Sequence, residues 1–523
     1  MNQPRRRTLL AATGAAVLAS GCDDAPPAKA PASGKPTPKA SGSTSAGAAR
    51  DWGALGRALQ GSLVRPQDAD YATARQLYNP RFDDLRPAAV AYVAHEADVR
   101  EALAFARATR TPVSIRNGGH SYTGWSSGTG HLVVDVSRLT DVRHGSSTAT
   151  IGAGAKLIHV YRALTTTARR TVPGGSCPTV GISGLTLGGG HGVLSRAYGL
   201  TCDSLTAATL VTADGTTLRC DDTTNPDLFW ALRGAGNGQF GVVTQLEFRT
   251  HPAPETVTGY LTWPWSKAAA VLSAWQEWGP GQPDEIWSAA HFSAGAGGGN
   301  PTVNVAAFSL GSRTGLANAV DRLAAKAGTP RSTTLRSKPH LDAMLQYAGC
   351  ADLSEAQCHL PGTTPGRDPA GVLNRENYAS RSAFFATSLD PAGVRTLLAS
   401  VERFTRVTAA QGGGGGTVAL TALGGAVNRV APEATAFVHR NMRMLAQYTA
   451  SWRPGLPGTA QQEWLTTTHD ALRRHASGFA YQNYPDATLP DWRRAYFGSA
   501  ADRLTRLKAR YDPDRLFDFP QAL

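Results

Sequence analysis

Two side chains in this chain could bond to a ligand rather than merely touch it: the thiol of Cys177 and the imidazole of His120. Cys177 lies in Thr171 to Gly192, T-V-P-G-G-S-C-P-T-V-G-I-S-G-L-T-L-G-G-G-H-G, which holds eight glycines in twenty-two residues. His120 lies in a run of the same character, Ile115 to Gly130, I-R-N-G-G-H-S-Y-T-G-W-S-S-G-T-G. Glycine lacks a Cβ, so such runs let backbone amides come close to a large ligand. A thiolate is a strong nucleophile once its pKa is lowered, and imidazole is nucleophilic while neutral near pH 7. One loop offering sulfur and another offering nitrogen point to a bulky cofactor gripped at two places. Each residue also has an ordinary reading, Cys177 as an inert buried thiol and His120 as a turn histidine bonded to backbone. His191, in G-G-G-H-G, competes with His120 for the same role.

A third group of polar side chains, Tyr481-Gln-Asn483-Tyr484-Pro-Asp486, clusters two phenols and an amide in a way that suits a site better than a core strand. Gly236-Asn-Gly-Gln-Phe-Gly241 matches G-x-G-x-x-G by letter, but a helix precedes it and a strand follows. The dinucleotide fingerprint needs the reverse order. No G-x-x-x-x-G-K-[ST], H-E-x-x-H or paired C-x-x-C occurs, so triphosphate hydrolysis and zinc catalysis lack a foothold, and no metal is expected. The net charge is +13, of which residues 1–50 carry +5. The rest is spread thinly, with no basic stripe interleaved with aromatics, which argues against nucleic acid.

The elements that must position these groups can be read from periodicity. At 523 residues the chain is too long for one ordinary core, and two domains are expected. Residues 1–22 read as an export signal: adjacent arginines at 5–7, then an apolar run too short to span a bilayer. The arginines followed by Thr-Leu-Leu resemble a twin-arginine signal. Leu18 to Cys22 resembles a lipoprotein cleavage box, with Cys22 as the lipidated residue. Residues 23–50, rich in Ala, Pro and Ser, read as a flexible linker. One or two short helices are expected over Trp52 to Gln76. A strand at Ala89–Val93, a helix over Glu96–Thr109 and strands at Pro112–Ile115, Leu132–Val136 and Ala149–Gly152 follow, then a helix over Lys156–Thr167. This order argues for an α+β domain.

Leu205 to Cys220 reads as a hairpin turning at Asp214-Gly215, which would set Cys220 opposite Thr209 and keep it apart from Cys202. Beyond Pro252, strands at Thr256–Leu261, Ile286–Phe292, Thr302–Leu310, Phe384–Leu389 and Thr417–Leu423 alternate with helices at Ala268–Trp278, Leu316–Ala327 and Gly393–Thr408. That pattern suits a second α+β domain, an antiparallel sheet covered by helices on one face. Cys350 and Cys358 are expected to form a small disulfide, the alternative being two thiols.

R-N-G-G-H-S-Y, G-G-S-C-P-T-V-G-I-S-G-L-T-L-G-G-G-H-G, F-G-V-V-T, Y-Q-N-Y-x-D and a late F-P-Q resemble the berberine-bridge-enzyme-like flavin oxidases of the vanillyl-alcohol-oxidase superfamily. The resemblance covers the chain from about Tyr71 onward. It implies a PCMH-type FAD-binding domain in two parts, residues 51–251 and 476–523, with a substrate domain inserted at 252–475. It also implies FAD linked twice, the 8α-methyl carbon to His120 and C6 to Cys177. Arg116, Asn117, Gly118, Gly119, Ser121 and Tyr122 would wrap the pyrophosphate with backbone amides, a concave anion nest. Gly175, Gly181, Gly184, Gly188, Gly189, Gly190 and Gly192 would let the second loop run beside the ring and ribityl chain, with His191 among them. Val243 would meet the adenine edge, and the compact Val180 matches a position that admits O2 in oxidases.

The implied reaction is oxidation of an alcohol or hemiacetal on a carbohydrate or glycosylated metabolite. Hydride passes to flavin N5, and O2 reoxidises the flavin to give H2O2. The substrate hydroxyl must lose a proton. Tyr481 is the preferred base, Tyr484 close behind, with Asn483 as a flavin or substrate partner; Tyr378 and His439-Arg440 are weaker substrate-side candidates. Amine or C–H oxidation of an alkaloid-like or antibiotic metabolite is the second reading, and a catalytically dead ligand-binding lipoprotein is a third. The expected protein is a monomer outside the cytoplasm, either secreted or anchored to the membrane surface through a lipid on Cys22.

Overall fold

The computed structural model describes residues 50–523, so the export signal, Cys22 and all of the linker except Arg50 lie outside the described residues. The chain first builds a four-stranded sheet in the order Ser62–Val64, Ala89–Tyr92, Leu132–Asp135, Val113–Arg116. Its last three strands run parallel, linked by the helix Glu96–Thr109. That helix buries Val99, Ala102, Leu103 and Ala106, one face at helical spacing, and ends on Arg110 in the left-handed region. Val113–Arg116 aims its carboxyl end into the histidine loop, where the buried pair Arg116–Asp135 fastens loop to sheet. The segment Trp52 to Gln76 does contain two short helices, Trp52–Ala58 and Tyr71–Ala74, with the edge strand Ser62–Val64 between them.

A second, wholly antiparallel sheet follows, in the order Val142–His144, Thr148–Gly152, Val242–Arg249, Leu205–Val211, Thr217–Asp221. The 205–221 hairpin corrects one expectation: Cys220 pairs with Ala208, not Thr209. Its connection is not a two-residue turn. Thr212 and Thr216 still bond across the ladder, leaving Ala213-Asp214-Gly215 as the loop, with Gly215 at φ +90°. An odd loop length shifts the register by one residue. Cys202 and Cys220 are both unbonded cysteines, and Cys350 is disulfide-bonded to Cys358 with Cα atoms 5.7 Å apart.

From Thr256 to Ser451 the chain forms a seven-stranded antiparallel sheet, ordered Ser332–Lys338, Thr256–Trp263, Thr302–Ser309, Ile286–Gly295, Gly415–Ala422, Met444–Ser451, Tyr378–Phe385. The strand expected at Phe384–Leu389 begins six residues earlier, at Tyr378, because its register is set by pairing with Met444–Ser451. That partner strand, and Ser332–Lys338 at the opposite edge, carry too many polar residues to stand out in the sequence. Helices Ala268–Trp278, Arg313–Ala327, Pro391–Phe404 and Thr459–Arg473 cover one face, over Ala290, Phe292, Val305, Val418, Leu420 and Tyr448. Alternation then dictates the other face: Trp287, Ala289 and His291, with Ala419, Thr421 and Gln447 across the ladder. The buried guanidinium of Arg196 joins the two halves, donating to the carbonyls of Ile286 (2.9 Å), Pro280 (3.2 Å), Gln282 and Leu423.

Candidate active site

Between the histidine loop, the cysteine loop and the uncovered sheet face lies a cavity of about 730 Å³, a size suited to a large cofactor together with part of a substrate. The C-terminal segment closes it with Tyr481 to Pro485 and Phe517 to Phe519. His120 and Cys177 both line it, on loops that touch. A Cβ on Gly118 would stand 2.5 Å from the Thr179 carbonyl oxygen, so the approach of the two loops requires glycine there. His120 Nε2 lies 2.8 Å from Thr179 Oγ1, and its ring stacks on Tyr78 at 4.0 Å. Burial, and then the charge of Lys156, hold the His120 imidazole neutral, with its pKa down at about 3. Burial pushes the Cys177 thiol up to about 11, while hydrogen bonds from Thr179 pull the other way.

Beneath the histidine loop, the buried Lys156 ammonium donates to Asn117 Oδ1 (2.7 Å) and Ser137 Oγ (3.0 Å). Asn117 Nδ2 reaches Ser183 Oγ at 3.0 Å, so one amide ties the two loops together. Arg116, Asn117, Gly118, Gly119, Ser121 and Tyr122 line the cavity, as do Gly175, Val180, Gly181, Gly184, His191, Gly192 and Val243. Gly188, Gly189 and Gly190 do not, which corrects the expectation that they run beside the ligand. They pack behind the wall: a Cβ at Gly188 would overlap Asn483, one at Gly190 would overlap Thr201, and Gly189 faces Phe437 and Tyr481.

The two phenols differ in what they are free to do. Tyr481 is fully buried, and its hydroxyl oxygen accepts from the Gly190 amide (2.8 Å) and from Asn483 Nδ2 (3.0 Å). Asn483 also donates to the Leu185 carbonyl and accepts from Asn237, so its amide is occupied within the wall. Tyr484 is half-buried and stacks on Tyr122 at 5.1 Å, nearly parallel. Its hydroxyl lies 2.8 Å from His191 Nε2. Burial raises both phenol pKa values. Burial also keeps His191 neutral, down at about 4, and its Nδ1 has no partner among the described residues.

Several residues at the site gave no signal in the sequence. Gln447 Nε2 donates to Tyr122 Oη at 2.9 Å, joining the sheet floor to the histidine loop. Glu376, Trp287 and His291 line the substrate side. Tyr378 lies there too, its ring edge-on to Tyr122. His439 and Arg440 lie elsewhere. His439 stacks on Phe384 and donates to the Tyr496 carbonyl, while Arg440 is paired with Asp203, and neither reaches the cavity.

A flavin dinucleotide fits this set of polar donors and acceptors. Arg116 Nη1, Ser126 Oγ, Asn237 Oδ1, Gln482 Oε1 and Gln521 Oε1 are buried polar atoms of lining residues without a partner among the described residues, the condition that a polar ligand relieves. Residues 87–221 match the model of an FAD binding domain, and residues 480–523 match the berberine and berberine-like model. An uncharacterized FAD-linked oxidoreductase, YgaK of Bacillus subtilis (strain 168), is 32% identical over 89% of this chain and 97% of its own. A chitooligosaccharide oxidase of Gibberella zeae is 31% identical over 85% of this chain and 89% of its own. The solved structure of Physcomitrella patens BBE-like 1 superposes with a TM-score of 0.80 at 29% identity, covering 90% of this chain and 97% of that one.

Proposed function

The chain belongs to the berberine bridge enzyme-like family of FAD-linked oxidoreductases, and we propose that it oxidises an alcohol or hemiacetal carbon of a carbohydrate or glycosylated metabolite outside the cytoplasm. The pairing of Tyr484 with a neutral His191 carries this reading. The two meet where the cofactor loops join the substrate sheet. Bound flavin supplies a two-electron acceptor that O2 regenerates, releasing H2O2. Tyr484 takes the substrate hydroxyl proton on its oxygen as its own proton moves to His191 Nε2, which offsets the cost of a buried phenolate. Tyr481, with its oxygen already accepting twice, holds the Gly190 turn instead, so Tyr484 takes the preference as base that the sequence gives Tyr481.

In this reading His120 and Cys177 bond the cofactor at its two ends of attachment, and Arg116, Asn117 and Ser121 hold its phosphates. The substrate rests on Trp287, His291, Thr421 and Gln447, a floor without lysine or arginine that suits an uncharged polyol. An aromatic wall beside amide and hydroxyl groups is how proteins take up sugar faces and sugar hydroxyls together. The chitooligosaccharide oxidase relative supports the same class. The arginines at 5–7 and Cys22 support export with a lipid anchor as one outcome of maturation. A panel of neutral mono- and oligosaccharides, followed by peroxide release, tests the proposal. Turnover of a neutral sugar is expected, and turnover of amines alone would overturn it.

A further inference from the structure

After the helix His340–Tyr347 the chain runs as a strap over residues 349–374, closed near its start by the Cys350–Cys358 disulfide. A pair of histidines fastens this strap to the first half of the chain. His159 stands on the helix Leu157–Ala168, and His359 directly follows Cys358. Their Nε2 atoms are 2.9 Å apart. His359 is 4% exposed, and its Nδ1 lies 2.7 Å from the Glu355 carbonyl oxygen. A carbonyl only accepts, so Nδ1 carries a hydrogen and the neutral ring keeps its lone pair on Nε2. The hydrogen between the rings then belongs to His159. A first added proton goes to the outer nitrogen of His159 and leaves this bond in place. A second puts a hydrogen on each of the two facing nitrogens, and the bond is lost.

Both sides of the pair connect to the cavity wall. Leu157 and Ile158 donate their amides to the carbonyls of Val180 (2.9 Å) and Pro178 (3.2 Å) in the cysteine loop. The His359 carbonyl accepts from the Leu373 amide (3.0 Å), and Leu373 and Asn374 line the cavity. The charges that act on the pair are Lys156 and Arg162 from the helix and Glu355 from the strap. The Glu355 carboxylate lies 3.9 Å from His159 Nε2 and 3.8 Å from Arg162 Nε, and it is 51% exposed. The other side chains packed here, among them Ile158, Leu341, Leu345 and Leu353, are apolar. Two protonated rings would thus meet two further cations and one solvated carboxylate. Arg367 and Arg375 hold the rest of the strap to Gln76 and Asp83, so losing the pair frees the stretch beside His359 and Leu373.

We propose that His159 and His359 form an acid-released clasp, which keeps the strap closed as a wall of the cavity while one hydrogen lies between the rings and lets it open when each ring holds its own. Burial, and then the charge of His359, lower His159 to about 4, so opening is expected as the pH falls toward that value. A substrate then loses Leu373 and Asn374 as a wall. The clasp requires neither a covalent flavin nor a particular substrate.

The test is amide hydrogen exchange of purified holoenzyme, read by peptide mass from pH 7 down to pH 4 and corrected for the intrinsic rate. It compares the natural sequence with His159→Gln and His159→Ala. The Leu373 amide reports the clasp, and the strand Val113–Arg116 reports unfolding of the whole. In the natural protein the Leu373 peptide is expected to lose protection about tenfold or more toward pH 4, the loss of one hydrogen bond to a charged group, while the strand keeps its own. A glutamine amide can donate to the neutral His359 ring or accept from the protonated one, so His159→Gln should stay protected at pH 4. His159→Ala has no partner to offer and should be less protected already at pH 7. A natural protein whose Leu373 peptide stays protected at pH 4 overturns the inference and needs no variant. Loss of protection shared equally by the strand overturns it too, since the opening is then global. So does a glutamine variant that opens like the natural protein, or an alanine variant as protected as the natural protein at pH 7.

Discussion

At the scale of single residues, the site separates groups that react from groups that hold. Tyr484→Phe is expected to lower kcat by about 10²- to 10⁴-fold, the usual contribution of a positioned proton acceptor, with the flavin retained. Tyr481→Phe removes an acceptor from the Gly190 amide and should cost stability, about 1–2 kcal/mol, more than rate. Steady-state kinetics on both variants check this, and equal losses of kcat would refute the assignment. His191 adds a pH dependence. On the proposed proton path its neutral form accepts the Tyr484 proton and its protonated form cannot, so activity should be present above about pH 4 and fall as the pH drops through that value. A pH–rate profile whose acid limb survives unchanged in His191→Asn would remove the histidine from the proton path. The loops of His120 and Cys177 were legible because they set rare residue types among glycines, and the phenols because two of them cluster with an amide within six residues. Thr179, Gln447 and Glu376 were not, since their roles come from contacts between segments far apart in sequence.

Among the elements, strong periodicity is what the structure returned unchanged. Glu96–Thr109 and Ala268–Trp278 appear with the bounds that their apolar spacing predicts. The errors fall where tertiary context decides. Tyr378–Phe385 has serines and an arginine in its middle and is held as a strand by its neighbour. Met444–Ser451 alternates too weakly to be noticed alone, and the 205–221 hairpin differs from expectation by a one-residue loop extension. Arg196 shows the same dependence, since four carbonyls in and beside the seven-stranded sheet meet one side chain of the first half. Lysine has three donors on a point charge and cannot reproduce that planar fork. Arg196→Lys should therefore destabilise the protein by about 3 kcal/mol through unpaired carbonyls, measured as a lower urea midpoint. An unchanged midpoint would show that the junction does not depend on this clamp.

For the whole molecule, buried histidines set the acid limit. His340 and His439 are 1% exposed, and burial lowers their pKa values to about 4 and about 3. The unfolded chain takes up these protons at higher pH than the folded one, so stability rises with pH between roughly 4 and the unperturbed value near 6.5. Each is worth on the order of 3 kcal/mol at its limit. Thermal midpoints should accordingly fall as pH is lowered from 6.5 toward 4, and less steeply in His340→Gln. A flat profile over that range would contradict the neutral burial of these rings. The central claim, that an oxidised flavin is bonded to this chain through both an imidazole and a sulfur, is tested most directly by the intact mass of purified protein in denaturant. The expected mass is that of the mature polypeptide plus one FAD, less two hydrogen atoms for each of two bonds, with the yellow colour retained. A colourless polypeptide at the mass of its amino acids alone would contradict it.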